Sequence, residues 1–320
     1  MAEHSKIEWT DTTWNPVTGC TKVSPGCAHC YAERITNRFE GPGAFDKVVL
    51  HPERLEMPLR WKKPRMIFVN SMSDLFHRDV PDEFIAKVFQ TMYLSPRHTL
   101  QVLTKRPRRM AKWLKRCGNG GELGWMTHNG TEPAKAYRGT GIIVGLAKNW
   151  PLPNVWLGVS VENQRMADKR IPLLLQAEAA RNFVSAEPLL DAVCLENWLP
   201  IYCVRMPEED MPPHLSWVIV GGESGPEARP MHPDWVRALC GQCLGAGVPF
   251  FFKQWGEWLP GSQARHISND ALSHFKVRSI VYDGVEAFVF HAGKKKAGRL
   301  LDIKEWNQMP APTSQLSSEA

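Results

Sequence analysis

From about residue 65 the chain repeats one unit: a short apolar run ending in polar residues, a turn, and a segment with helical periodicity. The runs are 66 to 70 (MIFVN), 99 to 104 (TLQVLT), 155 to 160 (VWLGVS), 181 to 185 (RNFVS), 217 to 221 (WVIVG) and 249 to 254 (PFFFKQ). Such alternation restricts a chain to parallel strands joined by crossover helices, giving an α/β fold. Six strands are predicted. After the first, Pro81 opens a segment with Asp82 and Glu83 in its first turn and Phe84, Ile85, Val88, Phe89 and Met92 at helical spacing. After the fifth, Trp235, Leu239 and Cys243 lie four residues apart, and Gly245 and Gly247 stop that helix before Pro249.

Two stretches break the rhythm and read as insertions, about 117–153 and 196–215. Beyond about residue 260 the alternation is lost, and the final PAPTSQLSSEA has the composition of a disordered tail. The expected organisation is therefore a main unit over 1–259 and a C-terminal extension over 260–320. Hydrophobic residues at 43% against charged residues at 22% exclude a disordered chain. No run approaches the roughly 18 apolar residues of a membrane span, and the start lacks the pattern of a signal peptide. A soluble cytoplasmic protein is expected.

In parallel α/β sheets ligands bind at the carboxyl ends of the strands, and here those ends are polar throughout. They carry Ser71, Ser73 and Asp74; Lys105 and Arg106; Ser160, Glu162 and Asn163; Ser185 and Glu187; Glu223 and Ser224; and Lys253, Gln254 and Trp255. Gly221 and Gly222 would let backbone approach a ligand closely, with Glu223 available to an amine or hydroxyl. Neither a G-x-G-x-x-G fingerprint opening a βαβ unit nor a G-x-x-x-x-G-K-[ST] loop is present, which argues against a dinucleotide dehydrogenase and a P-loop ATPase. Trp255 and Trp258, at the last strand end, are candidates to close the pocket.

A reducing compartment argues against a disulfide framework for the eight cysteines, and three of them, Cys20, Cys27 and Cys30, fall within eleven residues. Three thiolates from one loop can hold three irons of a [4Fe-4S] cluster and leave the fourth open, whereas a structural zinc ion is normally closed by four ligands. His29 is the nearest fourth ligand, strained by its place between Cys27 and Cys30. Cluster, zinc and unligated thiols all remain open on spacing alone. Cys240 and Cys243 read as core, since Cys243 shares a helical face with Trp235 and Leu239.

Three N-terminal cysteines in a loop before serial βα units resemble a radical S-adenosylmethionine (SAM) enzyme. The blocks NSMSDLFH (70 to 77), LTKRP (103 to 107), GVSVEN (158 to 163), SAEPLL (185 to 190), GGESGPEARPM (221 to 231) and FFKQWGEW (251 to 258) resemble the phage Gp37/Gp68 family, a three-Cys-motif family also called DUF5131. The resemblance implies a partial TIM-type (β/α) barrel and a 5'-deoxyadenosyl radical made from SAM at a reduced cluster. It also implies an electron donor and a bacterial or phage-infected host. Cys20, Cys27 and Cys30 would ligate the cluster; Ser71, Ser73 and Asp74 would hold the SAM amino group; Lys105, Ser160 and Glu162 are candidates for its carboxylate and ribose. Glu187, Gly221, Gly222 and Glu223 complete the expected cofactor-binding set. The spacing departs from the superfamily's common C-x3-C-x2-C, being C-x6-C-x2-C here.

Positive charge is concentrated in 104–116, with Lys105, Arg106, Arg108, Arg109, Lys112, Lys115 and Arg116. Smaller groups are Lys62, Lys63 and Arg65 beside Trp61, and Lys294, Lys295, Lys296 and Arg299. Clustered Lys and Arg neutralise phosphates, and Trp61 and Trp113 could stack on bases. The leading expectation is a radical SAM enzyme that modifies or repairs DNA, RNA or a nucleotide. The alternatives are a zinc-stabilised nucleic-acid-binding protein without catalysis, and a radical SAM enzyme acting on a peptide or small molecule.

Overall fold

A computed structural model describes residues 5, 7–117, 150–200, 211–264 and 267–311. Most of the first predicted insertion, half of the second and the tail from 312 lie outside these residues. Seven strands form one parallel sheet: β1 (Thr12–Trp14), β2 (Met66–Val69), β3 (Thr99–Thr104), β4 (Val155–Ser160), β5 (Arg181–Ala186), β6 (Trp217–Gly221) and β7 (Phe250–Gln254). They stand side by side in sequence order and curl into a half barrel, the partial TIM-type architecture that was expected. Six of the seven match the predicted runs. The seventh, β1, is three residues long and contains no apolar run; it pairs with β2 from Thr12 opposite Ile67 to Trp14 opposite Val69.

Side chains alternate across the sheet with the period of two that a strand imposes. On the convex face Ile67, Val69, Leu100, Val102, Leu157, Val159, Val184, Val218, Val220, Phe250 and Phe252 join the large core beneath the helices. On the concave face Phe68, Trp156, Phe183, Trp217, Ile219 and Phe251 gather around Trp9 in a second cluster that floors the half barrel. Space there is tight enough to dictate a glycine, since a Cβ on Gly158 of β4 would lie 2.4 Å from the Phe183 ring on β5.

Helix α1 (Tyr31–Glu40) follows the cysteines, and the crossovers are α2 (Asp82–Tyr93), α3 (Pro107–Cys117), α4 (Gln164–Leu175) and α5 (Pro233–Gly245). Helix α2 buries Phe84, Ile85, Val88, Phe89 and Met92, and α5 buries Trp235, Leu239 and Cys243, as their periodicities predict. Each such aliphatic or aromatic side chain contributes roughly 1.5–3 kcal/mol by leaving water. Among the described residues no helix is long and apolar enough to cross a membrane.

After the barrel, β8 (Trp258–Pro260), β9 (Val277–Tyr282) and β10 (Val285–His291) make a small antiparallel sheet ordered β8-β10-β9. The chain then returns to the half barrel. Gln308 accepts the Trp217 indole N–H at 2.9 Å through its carbonyl and the Phe250 amide at 2.9 Å through its side chain. Met309 packs on the aromatic floor. Trp255 and Trp258, expected at the pocket mouth, are core residues instead. They are 1% and 3% exposed, and their indole N–H groups are bound to the carbonyls of Leu300 and Ala228.

Candidate functional site

The loop that carries the three cysteines is gripped by the ends of several strands. Val17–Thr18 pairs with Val49–Leu50, the Gly19 amide donates to Met72 O at 3.1 Å, and the Cys20 amide to Phe45 O at 2.8 Å. Gly19 has φ +82°, and a Cβ there would meet the Lys47 carbonyl oxygen at 2.0 Å, so only glycine fits immediately before Cys20. From the end of β2, Ser73 Oγ donates to Val17 O at 2.9 Å, Ser71 Oγ donates to Asn15 Oδ1 at 3.2 Å, and the Ser71 carbonyl accepts the Tyr31 hydroxyl.

Two carboxylate–arginine pairs continue the grip. Glu162, after β4, is fully buried; its Oε2 takes Arg170 Nη1 at 2.9 Å and its Oε1 takes the Gly26 amide at 3.2 Å. Glu223, after β6, holds Arg229 through two contacts of 2.6 and 2.8 Å, and Arg229 Nη2 donates to Pro25 O at 2.9 Å. From the end of β3, Arg106 donates to Asp74 Oδ2 at 3.0 Å, to Thr21 O at 2.9 Å and to Cys20 Sγ at 3.4 Å. Burial pushes the Cys20 thiol up, and the Arg106 guanidinium works against that by favouring the thiolate. Asp74 also accepts from Thr104 Oγ1 at 2.7 Å and from the Lys105 amide at 3.0 Å.

The clamped loop closes one side of a cavity of about 530 Å³ at the carboxyl ends of the strands. Cys20, Cys27 and Cys30 line it together, facing inward-pointing residues of the barrel: Asn70, Lys105, Ser160, Ser185, Glu187 and Lys253. Lys105 Nζ donates to Ser160 Oγ at 3.2 Å, and Lys253 Nζ meets Glu187 Oε1 at 2.6 Å. Trp9, Phe68 and Leu103 also line the cavity. Among the described residues no three His, Cys, Asp or Glu side chains are grouped closely enough to hold a metal ion, and His29 pairs with Glu227 at 3.2 Å.

The strand ends thus converge, but for different tasks. Ser71, Ser73, Asp74, Lys105, Ser160, Glu187, Gly222 and Glu223 line the cavity; Glu162 and Gly221 do not. Gly222 is also required by packing, because a Cβ there would lie 2.1 Å from the Trp255 carbonyl oxygen. The basic segment is also divided. Arg109 and Arg116 clasp Asp82 of α2 at 2.7 and 3.0 Å, Arg106 serves the cysteine loop, and Lys105 enters the cavity. Among the described side chains of α3, only Arg108, Lys112 and Lys115 are exposed. Trp113, expected as a stacking platform, is core, 4.9 Å from the Phe89 ring centroid; Trp61 is half-buried with the Arg65 guanidinium 5.1 Å from its ring. Arg170 and Arg229, the partners that fix Glu162 and Glu223, and Arg34 and Tyr31, which line the cavity from α1, were not singled out in the sequence.

Fold and site together define a half-barrel α/β protein with a three-cysteine loop over the cavity at its strand ends. The chain belongs to the DUF5131 family, described as a protein of unknown function, whose model matches residues 4–310. No curated protein matches the sequence. Among solved structures it is similar to spore photoproduct lyase complexed with dinucleoside spore photoproduct, at 12% identity and TM-score 0.39 over 86% of this chain and 66% of that one. A cysteine-to-serine variant of that lyase gives 13% identity and TM-score 0.41 over 89% and 70%. The chain spans about two thirds of the length of these structures.

Proposed function

We propose that the protein is a radical SAM enzyme that binds a [4Fe-4S] cluster through Cys20, Cys27 and Cys30 and acts on a nucleic acid or nucleotide. The observation that carries this reading is the placing of three cysteines on one clamped loop along the wall of the strand-end cavity. The donor set fits the group: three thiols from one loop, all on the cavity wall, match a cluster that takes one thiolate on each of three irons. When bound, the reduced cluster and SAM supply a 5'-deoxyadenosyl radical that abstracts a hydrogen atom from substrate.

The chain's own part is positioning and exclusion of water. Glu162, Arg229 and Arg106 fix the loop from three sides. Lys105 and Ser160 are the proposed contacts for the carboxylate and ribose of SAM, and Glu187 with Lys253 forms a further polar pair on the cavity wall, toward substrate. The aromatic floor of Trp9 and Phe68 seals the cavity from below. Kinship with the phage Gp37/Gp68 proteins belongs to the same proposal.

The test is anaerobic purification with iron and sulfide analysis, followed by reduction with SAM and assay for 5'-deoxyadenosine. About four irons per chain and release of 5'-deoxyadenosine, both lost in Cys27→Ala, are expected. A colourless protein with one zinc and no SAM cleavage would overturn the proposal in favour of the binding-protein reading.

A further inference from the structure

Helix α1 turns its apolar face outward. At about 100° per residue, Tyr31, Arg34, Ile35, Arg38 and Phe39 share an arc of roughly 140°. On a surface helix an apolar arc is normally buried against the core. Here Ala32 is the buried residue of the helix, while Tyr31, Ile35 and Phe39 are 41%, 42% and 79% exposed. No acidic residue shares the arc. Glu33 is turned aside to Lys22 at 3.0 Å, and Glu40 lies on the opposite side. Neither Arg34 nor Arg38 has a carboxylate partner among the described residues; the Arg38 guanidinium sits 5.8 Å from the Phe39 ring centroid, and Arg34 lies against Gly225, where a Cβ would collide with it.

Three of these residues, Tyr31, Arg34 and Ile35, also line the strand-end cavity. The face therefore runs from the cavity mouth outward to Phe39, about 12 Å along the helix at 1.5 Å per residue. Tyr31 is held by its hydroxyl on the Ser71 carbonyl, which keeps the ring in place beside Cys30.

We propose that this face of α1 docks an unpaired nucleic-acid strand and leads one of its nucleotides into the cavity. Exposed rings stack on bases without regard to sequence, and arginines between them with no carboxylate partner among the described residues neutralise the phosphates of the same strand. A duplex offers no free base faces to a single narrow helix. Continuity with the cavity selects an occupant that enters it, which an electron-donor protein docked on the outside does not. The inference rests on the nucleic-acid reading above and names the form in which that substrate binds.

The experiment measures binding of fluorescently labelled single-stranded DNA and RNA oligonucleotides, and of matching duplexes, to the full chain and to Phe39→Ala, Phe39→Trp and Arg38→Ala. Phe39→Ala is expected to weaken single-strand binding about 5- to 150-fold, with Phe39→Trp restoring it. Arg38→Ala is expected to reduce the slope of log affinity against log salt by about 0.7. The thermal unfolding midpoint of each variant reports whether the fold survives. Unchanged single-strand affinity in Phe39→Ala and Arg38→Ala, or duplexes bound as tightly as single strands, would overturn the proposal. Variants that lose only reduction by an acidic electron carrier, with strand binding intact, would reassign the face to the donor. Loss of the radical reading shows differently, as strand binding through α1 by a protein that does not cleave SAM.

Discussion

Glu162 Oε1 accepts the Gly26 amide at 3.2 Å, although 136 positions separate the two in the chain. The contact joins the end of β4 to the middle of the cysteine loop, and the other oxygen of Glu162 is held by Arg170, itself 4% exposed. Removing the carboxylate leaves a buried guanidinium without its counter-charge, which costs about 3–5 kcal/mol. Glu162→Ala is accordingly expected to lower the urea unfolding free energy by that amount and, on the proposed cluster reading, to reduce bound iron in what remains folded. Glu162→Gln keeps an acceptor for Gly26 and should retain more iron than Glu162→Ala. Equal iron in both would show that the Gly26 contact does not position the loop.

A second prediction concerns the concave face. Because the missing Cβ of Gly158 is replaced by the Phe183 ring, Gly158→Ala is expected to cost about 1–3 kcal/mol through overpacking. Phe183→Leu removes the far end of that ring, so adding it to Gly158→Ala should recover part of the loss. Additive destabilisation in the double variant, read from denaturant midpoints, would place the strain elsewhere.

Acid should destabilise the protein through two histidines. His77 is fully buried, with Nε2 2.8 Å from Thr21 Oγ1, and burial first and the Arg106 charge second hold its pKa below the ordinary 6.5. Burial likewise lowers His98, whose Nε2 lies 3.0 Å from Pro58 O. In each case the unfolded chain takes up a proton at a higher pH than the folded one, so the unfolded state binds more protons in that window. The stabilisation is complete above about pH 6.5 and falls away as the pH drops below it. Unfolding free energy measured from pH 8 to pH 5 should decline on the acid side, and His77→Gln should flatten part of the decline. A profile unchanged by that substitution would remove His77 from the account.

Much of the barrel could be read directly because strands buried on both faces are continuous apolar runs; 155 to 160 and 217 to 221 are buried at every position. Strand β1 offered no such run, being two threonines and a tryptophan placed by pairing with β2. The cysteine cluster was legible from spacing, and the polar strand ends from their position. Their division of labour was not. A carboxylate after a strand has the same local sequence whether it faces a cavity or meets an arginine from a helix, and Arg170 and Arg229 decide that for Glu162 and Glu223 only in three dimensions. The same holds for 104–116, where Asp82 of α2 takes two of the arginines. Amphipathic spacing in α1 marks a distinct face without saying which way it points.

The aromatic floor has a consequence for the order in which the protein is made. Each strand pairs with the one before it in the chain, so the successive units can assemble as they leave the ribosome. The floor cannot. Trp9 emerges among the first residues, yet its ring partners Phe183 and Trp217 arrive long after it, and Gln308, which caps the Trp217 indole, is among the last described residues to appear. Throughout synthesis the growing half barrel holds an unsealed ring of large aromatic side chains. A chain halted before residue 308 would keep that surface open, a sticky intermediate for chaperones to mask until the final strand ends are tied.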